Sequence, residues 1–193
     1  MLDIKKIVCG AYAENAYIVN GDILIDPGDG LEAILAVVSK PRAILLTHGH
    51  FDHMLAAEEI QKRFGTPVYV HPADGPMLSD EKTSAYLRQD ASMPMPTSIE
   101  WQPYGETAFG FKVLHTPGHT EGSVCLYAEE EGVLFSGDTL FQAGFGRTDL
   151  AGGSSTAMRR SLRQLLALPR ETRVLPGHAG ETTIGIECGR YGR

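Results

Sequence analysis

The run Thr47-His48-Gly49-His50-Phe51-Asp52-His53 places three imidazoles and a carboxylate within six residues, directly after the apolar stretch Ala43-Ile44-Leu45-Leu46. Imidazole and carboxylate are ligands for divalent metals. A buried polar group without a partner is costly, so four such groups side by side at the end of a buried strand point to a shared ion. The pattern recurs downstream in Val113-Leu114-His115-Thr116-Pro117-Gly118-His119, in Val133-Leu134-Phe135-Ser136-Gly137-Asp138 and in Val174-Leu175-Pro176-Gly177-His178. Each time an apolar run breaks at a Gly, with a His or Asp at or just past the break. Four strands that deliver ligands to one end of a sheet describe a metal centre.

The spacing divides these residues into two groups. Residues i and i+2 of an extended loop point the same way, so His48 and His50 can hold one ion together. Asp52 and His53 point away from that pair and can serve a second ion. His119 completes the first group and His178 the second, and Asp138, with two oxygens, can bridge both. The expected sets are His48, His50, His119 and Asp138 for one metal, and Asp52, His53, His178 and Asp138 for the other. An all-nitrogen and oxygen set suits two divalent ions, with zinc expected and iron or manganese compatible. His71 and His115 have no coordination slot left and read as structural or supporting groups.

Two adjacent cations acidify a shared water, and the resulting hydroxide attacks an electrophilic carbonyl. Asp52 can orient that water. A thioester suits such a site because a thiolate leaves with little help from an acid. No Ser-His-Asp or Cys-His nucleophile arrangement is evident.

The elements that must position these residues follow from apolar periodicity. Extended runs cover Leu2–Val8, Ala16–Val19 and Ile23–Asp26, with a turn at Asp26-Pro27-Gly28-Asp29-Gly30. Helical spacing covers Leu31–Ser39 and about His53–Phe64, with strands over 43–46 and Pro67–Val70. Residues 72–98 are Pro- and Met-rich and aperiodic, which is the pattern of a functional loop; Tyr86 and Arg88 within it are candidates to line an entrance. Strands over 107–115, 123–128 and 132–136 follow. A helix capped by Ser154 or Ser155 runs to about Leu168, and a last strand covers 173–175. The alternation predicts an α/β sandwich of 1–193 as a single domain.

At 193 residues the chain can bury a sizeable core, and a net charge of −7 argues against a nucleic-acid partner. No stretch approaches the ~20 apolar residues of a membrane span, and Glu14 and Asn15 follow too closely on Ile7–Ala13 for a signal peptide. Cys9, Cys125 and Cys188 are isolated, which disfavours a disulfide framework; the cytoplasm is the expected compartment. The sequence does not specify an oligomeric state.

The His-x-His-x-Asp-His cluster with His119, Asp138 and His178 resembles the metallo-β-lactamase fold superfamily. Thr116-Pro117-Gly118-His119-Thr120, Gly137-Asp138-Thr139-Leu140-Phe141 and Gly146-Arg147-Thr148-Asp149 resemble its glyoxalase II-like branch. Pro176-Gly177-His178 followed by Glu181-Thr182-Thr183-Ile184-Gly185 is similar to its short, single-domain members. The resemblance implies a four-layer αβ/βα sandwich with the site at one edge of two packed sheets. It implies hydrolysis of an S-2-hydroxyacylglutathione such as S-D-lactoylglutathione, a small glutathione thioester. Two-domain glyoxalase II enzymes carry a C-terminal helical region with basic residues that hold glutathione, and no counterpart follows His178 here. Arg147 is a candidate for substrate binding, against an internal ion pair with Asp149. The alternative is a persulfide dioxygenase with one iron on His48, His119 and Asp138; such enzymes tend to carry Ala where this chain has Gly177. A lactamase, lactonase, RNA-processing or non-catalytic role is less favoured.

Overall fold

The structure is a computed structural model and describes residues 1–191. The chain forms β1 (Ile4–Cys9), β2 (Glu14–Val19), β3 (Ile23–Ile25), α1 (Leu31–Leu35), β4 (Ala43–Leu45), α2 (Ala57–Phe64) and β5 (Val68–Val70). Then come β6 (Trp101–Pro103), β7 (Thr107–Ala108), β8 (Phe111–His115), β9 (Val124–Ala128), β10 (Val133–Gly137), α3 (Ser155–Leu166), β11 (Arg173–Pro176), β12 (Thr182–Thr183) and α4 (Ile184–Tyr191). Two six-stranded mixed sheets result, ordered β1-β2-β3-β4-β5-β6 and β12-β11-β10-β9-β8-β7.

Period-2 alternation explains the layers, because both faces of each sheet are buried. Tyr17, Val19, Ile25 and Leu45 of the first sheet pack against Val124, Leu126, Val133 and Phe135 of the second. The alternate residues face outward onto helices: Ile18, Leu24 and Ile44 lie with Ile34 of α1 and Ile60 of α2. Cys125, Tyr127 and Leu134 lie with Met158, Leu162 and Leu165 of α3 and Ile184 of α4. This is the α/β sandwich expected from the sequence.

Several boundaries differ from the periodicity. α1 ends at Leu35, although Val38 is buried as its spacing suggested. The helix expected from His53 begins at Ala57, because Phe51–His53 forms a separate 3-10 turn that turns Asp52 and His53 toward the other candidate ligands. Ser154 is the cap of α3, its hydroxyl accepting from the Ala157 N–H at 3.3 Å. β6, β12 and α4 had no expectation. β6 is a short, exposed edge strand that contains a proline, β12 is two residues long, and α4 carries two glycines that dilute its helical signal. Among the described residues no helix is long and apolar enough to cross a membrane.

The sheets position the site through their parallel pairs. β3 pairs parallel with β4, so Asp26 and Thr47 leave the same end of the first sheet. β10 pairs parallel with β11, so Asp138 and His178 leave the same end of the second. Ligands sit beyond the carboxyl ends of such strands. Cross-links fix the two ends together. The Val124 N–H donates to Thr47 O at 2.8 Å and the Asn15 N–H to Gly177 O at 2.7 Å. The Tyr17 hydroxyl donates to Pro176 O at 2.8 Å. Gly137 sits at φ +47°, and a Cβ there would collide with the Thr47 side chain, so only glycine brings these ends this close.

Candidate metal centre

All seven candidate ligands converge at this edge. His50 Nδ1 lies 2.8 Å from His119 Nε2. His53 Nε2 lies 3.3 Å from His178 Nε2 and 3.4 Å from Asp138 Oδ1. His178 Nε2 is 3.3 Å from Asp52 Oδ2 and 3.5 Å from Asp138 Oδ2, and the same Asp138 oxygen is 3.5 Å from His119 Nε2. The ligand atoms of His48, His50 and His119 lie within 4.8 Å of one another, as do those of Asp52, His53 and His178. A third such group is Asp26, His48 and His53.

Three of the imidazoles are aimed by their other nitrogen. His53 Nδ1 meets Asp26 Oδ2 at 3.0 Å, His119 Nδ1 meets Arg147 O at 2.7 Å, and His178 Nδ1 meets Tyr12 O at 3.1 Å. Carboxylate and carbonyl only accept, so these Nδ1 atoms carry protons and each Nε2 is left to face the other candidate ligands. His48 Nδ1 contacts Thr47 Oγ1 at 3.1 Å, and His48 Nε2 is buried without any hydrogen-bond partner, as is Asp138 Oδ1.

These observations test the fit of a metal. Two ligands on one tetrahedral ion, at ~2.0–2.1 Å each, lie roughly 3.3 Å apart. The spacings above cluster near that value, and the unpartnered atoms are the type a metal would take. The donor set, nitrogen and oxygen throughout, fits divalent zinc, iron or manganese.

The electrostatics agree. Burial, then the surrounding imidazoles, push His48 well below the ordinary histidine value, and burial and His119 push His50 down to about 3. Both imidazoles are therefore neutral, the form that can bind a metal. Burial disfavours charge on His53 too, but Asp138, Asp52 and Asp26 overcome it and hold its pKa up at about 10. That acidic surrounding favours a cation. Asp52 resists burial and stays below the usual carboxylate range because His53 and His178 flank it.

The centre forms the floor of a cavity of about 550 Å³. Tyr12, Phe51, Tyr86, Leu87, Phe141 and Leu150 supply apolar wall. Tyr86 packs edge-on against Phe51 at 5.5 Å and donates to Met93 O at 3.1 Å. Arg88 is exposed and does not line this cavity, which corrects the expectation that it would. Arg147 reaches the wall, but its guanidinium forms a two-pronged pair with Asp149 at 2.8 and 2.7 Å. The His71 and His115 rings stack on each other at 4.3 Å, away from the cavity floor.

Sequence reasoning missed Asp26, Tyr12 and Asp74. Asp26 and Asp74 hide in turn sequences where Asp is common. Asp74 is fully buried and accepts from the Gly49 N–H at 3.0 Å, the Thr120 hydroxyl at 2.7 Å and the Gly122 N–H at 2.7 Å. It thereby ties the His48–His53 loop to the loop after His119.

The profile of the metallo-beta-lactamase superfamily matches residues 9–178. The chain belongs to that superfamily. It is 36% identical to the probable metallo-hydrolase YqgX of Bacillus subtilis, over 95% of this chain and 93% of that one. It is 31% identical to the hydroxyacylglutathione hydrolase GloC of Haemophilus influenzae, over 96% and 95%. Among solved structures, TTHA1623 in a di-iron-bound form is 42% identical, with a TM-score of 0.88 over 95% of this chain and 96% of that one. BLEG-1, a B3 metallo-beta-lactamase, is 37% identical with a TM-score of 0.85 over 97% of both. The fold and the clustered His and Asp side chains here fit a metallo-hydrolase of this superfamily.

Proposed function

We propose that this chain, acting as one domain over 1–193, is a binuclear metal-dependent thioester hydrolase whose substrate is an S-2-hydroxyacylglutathione such as S-D-lactoylglutathione. The observation that carries the reading is the convergence of seven inward-aimed ligand atoms at the floor of a largely apolar cavity. His48, His50, His119 and Asp138 would hold one ion, and Asp52, His53, His178 and Asp138 the other. Zinc is the expected metal; a di-iron relative makes iron the first alternative. Bound there, such ions lower the pKa of water toward neutrality and act as Lewis acids toward a carbonyl.

The chain's own groups do the rest. Asp138 reaches His53 with one oxygen and both His119 and His178 with the other, so it suits a bridge. Asp52 lines the cavity, and its pKa, held down by His53 and His178, keeps it an acceptor that can orient a water for attack. Apolar walls exclude bulk water and strengthen the electrostatics of the floor. A thiolate leaving group needs no strong acid to depart. Attack by a protein thiol is disfavoured, because burial pushes the Cys9 and Cys125 thiols up to about 11. GloC supports the glutathione thioester; BLEG-1 makes a β-lactam the control reaction.

The test is turnover of S-D-lactoylglutathione, a β-lactam and glutathione persulfide by protein whose metals have been counted. Thioester hydrolysis with about two metals per chain is expected. Oxygen uptake with the persulfide at one iron per chain, and no thioester turnover, would replace this reading with the dioxygenase.

A further inference from the structure

The cavity wall carries few charges outside its floor. Arg147 is neutralised by Asp149, which leaves Glu81 and Lys82 as wall charges with no ion-pair partner among the described residues. They are adjacent, opposite in sign, exposed, and not paired with each other.

The backbone that carries them is fixed. Asp80 Oδ1 accepts from the Lys82 and Thr83 N–H groups at 2.9 and 3.1 Å, and Asp80 O accepts from the Ser84 N–H at 3.0 Å. The Tyr86 N–H donates to Glu81 O at 2.9 Å, closing the turn. Ser84 is fully buried, and its carbonyl accepts from the Phe51 N–H at 3.0 Å. Phe51 begins the 3-10 turn that carries Asp52 and His53. Part of the aperiodic 72–98 segment is therefore pinned to the element that carries two candidate ligands, and Glu81 and Lys82 stand in a set place relative to them.

An adjacent carboxylate and ammonium complement an α-amino acid end, whose ammonium and carboxylate share one carbon. Resting on the thioesterase reading, we propose that Lys82 and Glu81 hold the zwitterionic amino-acid end of the thiol carrier. Lys82 takes the carboxylate, Glu81 takes the ammonium, and the apolar wall takes the chain between that end and the thioester. This supplies within the sandwich a recognition site for a peptide thiol.

Calorimetric affinity for S-methylglutathione, which has no thioester to hydrolyse, tests this on metal-loaded full-length protein. Lys82→Met and Glu81→Gln are each expected to weaken binding about five- to tenfold, while Lys5→Met, on the remote strand β1, keeps wild-type affinity. An analogue that lacks the α-ammonium should respond to Lys82→Met and not to Glu81→Gln. Wild-type affinity in both cavity variants overturns the proposal, as does absence of binding to the parent protein. The outcome is separable from the thioesterase reading. Hydrolysis of S-lactoyl-N-acetylcysteamine without S-methylglutathione binding sinks this inference alone. Binding that depends on Lys82 and Glu81, without turnover of any thioester, sinks the other.

Discussion

The carboxylate of Asp26 supports the His53 imidazole from behind, with Oδ2 3.0 Å from Nδ1. Asp26 is itself held: the Thr47 hydroxyl donates to Oδ2 at 2.6 Å and the Thr47 N–H to Oδ1 at 2.7 Å. A carboxylate behind a metal-binding histidine fixes its tautomer and orientation, and loss of such a partner weakens metal binding about 10–100-fold. Asp26→Ala should therefore lower metal affinity by that order in a competition titration against a chelator. Affinity within twofold of the parent protein would show that Asp26 serves packing alone.

Asp138 faces both ligand groups, whereas His178 faces one. Asp138→Ala should release both metals and abolish nearly all turnover. His178→Ala should empty mainly the Asp52–His53 side and leave about one metal per chain. Metal counting after dialysis checks both, and two retained metals in the Asp138 variant would remove the bridge.

The candidate site was legible in sequence because a metal demands residue types whose clustering shows in their spacing. His48, His50, Asp52 and His53 stand in one run, and His119, Asp138 and His178 each follow a strand. The sandwich was legible because β2, β9 and β10 read as short, largely apolar runs, the pattern of strands buried on both faces. What escaped depends on contacts between distant segments. Asp26 reads as a turn residue until β3 pairs with β4. Arg88 attracted attention by its neighbourhood in sequence, but a turn around Asp90 leaves it exposed. Arg88→Ala should accordingly leave KM for S-D-lactoylglutathione unchanged.

Gly177 bears on the number of metals. A Cβ built there would lie 2.6 Å from Cε1 of His53 and closer still to Oδ1 of Asp138, with the Gly137 carbonyl carbon at 3.2 Å. His53 is fully buried and the Gly177 N–H donates to Gly137 O at 2.9 Å, so of the three only Asp138, which borders the cavity, has room to move. Gly177→Ala should therefore displace His53 and Asp138 from the second group while His48, His50 and His119 keep their positions. Metal content should fall from about two toward one per chain, with stability lower by about 1–3 kcal/mol from overpacking. Retention of both metals would mean that β11 shifts to accommodate the methyl group.

Acid stability depends on a residue remote from the centre. Glu58 on α2 accepts from the Ser98 hydroxyl at 2.6 Å, the Ser98 N–H at 2.7 Å and the Thr97 N–H at 3.2 Å, and meets Lys62 Nζ at 3.2 Å. It thus fastens the end of the 72–98 segment. Burial alone would raise its pKa, but Ser98, Thr97 and Lys62 hold it down from 4.5 to about 2. A carboxylate with a depressed folded-state pKa stabilises the protein above its unfolded value and loses that contribution as pH falls through the folded one. Its contribution is therefore full above about pH 4.5 and fades toward pH 2. Glu58→Gln should lower Tm at pH 6, and the difference from the parent protein should shrink as pH falls to 3. Acid release of metal is common to both proteins and cancels in that difference. A Tm difference that stays constant from pH 6 to 3 would show that the Glu58 charge contributes nothing.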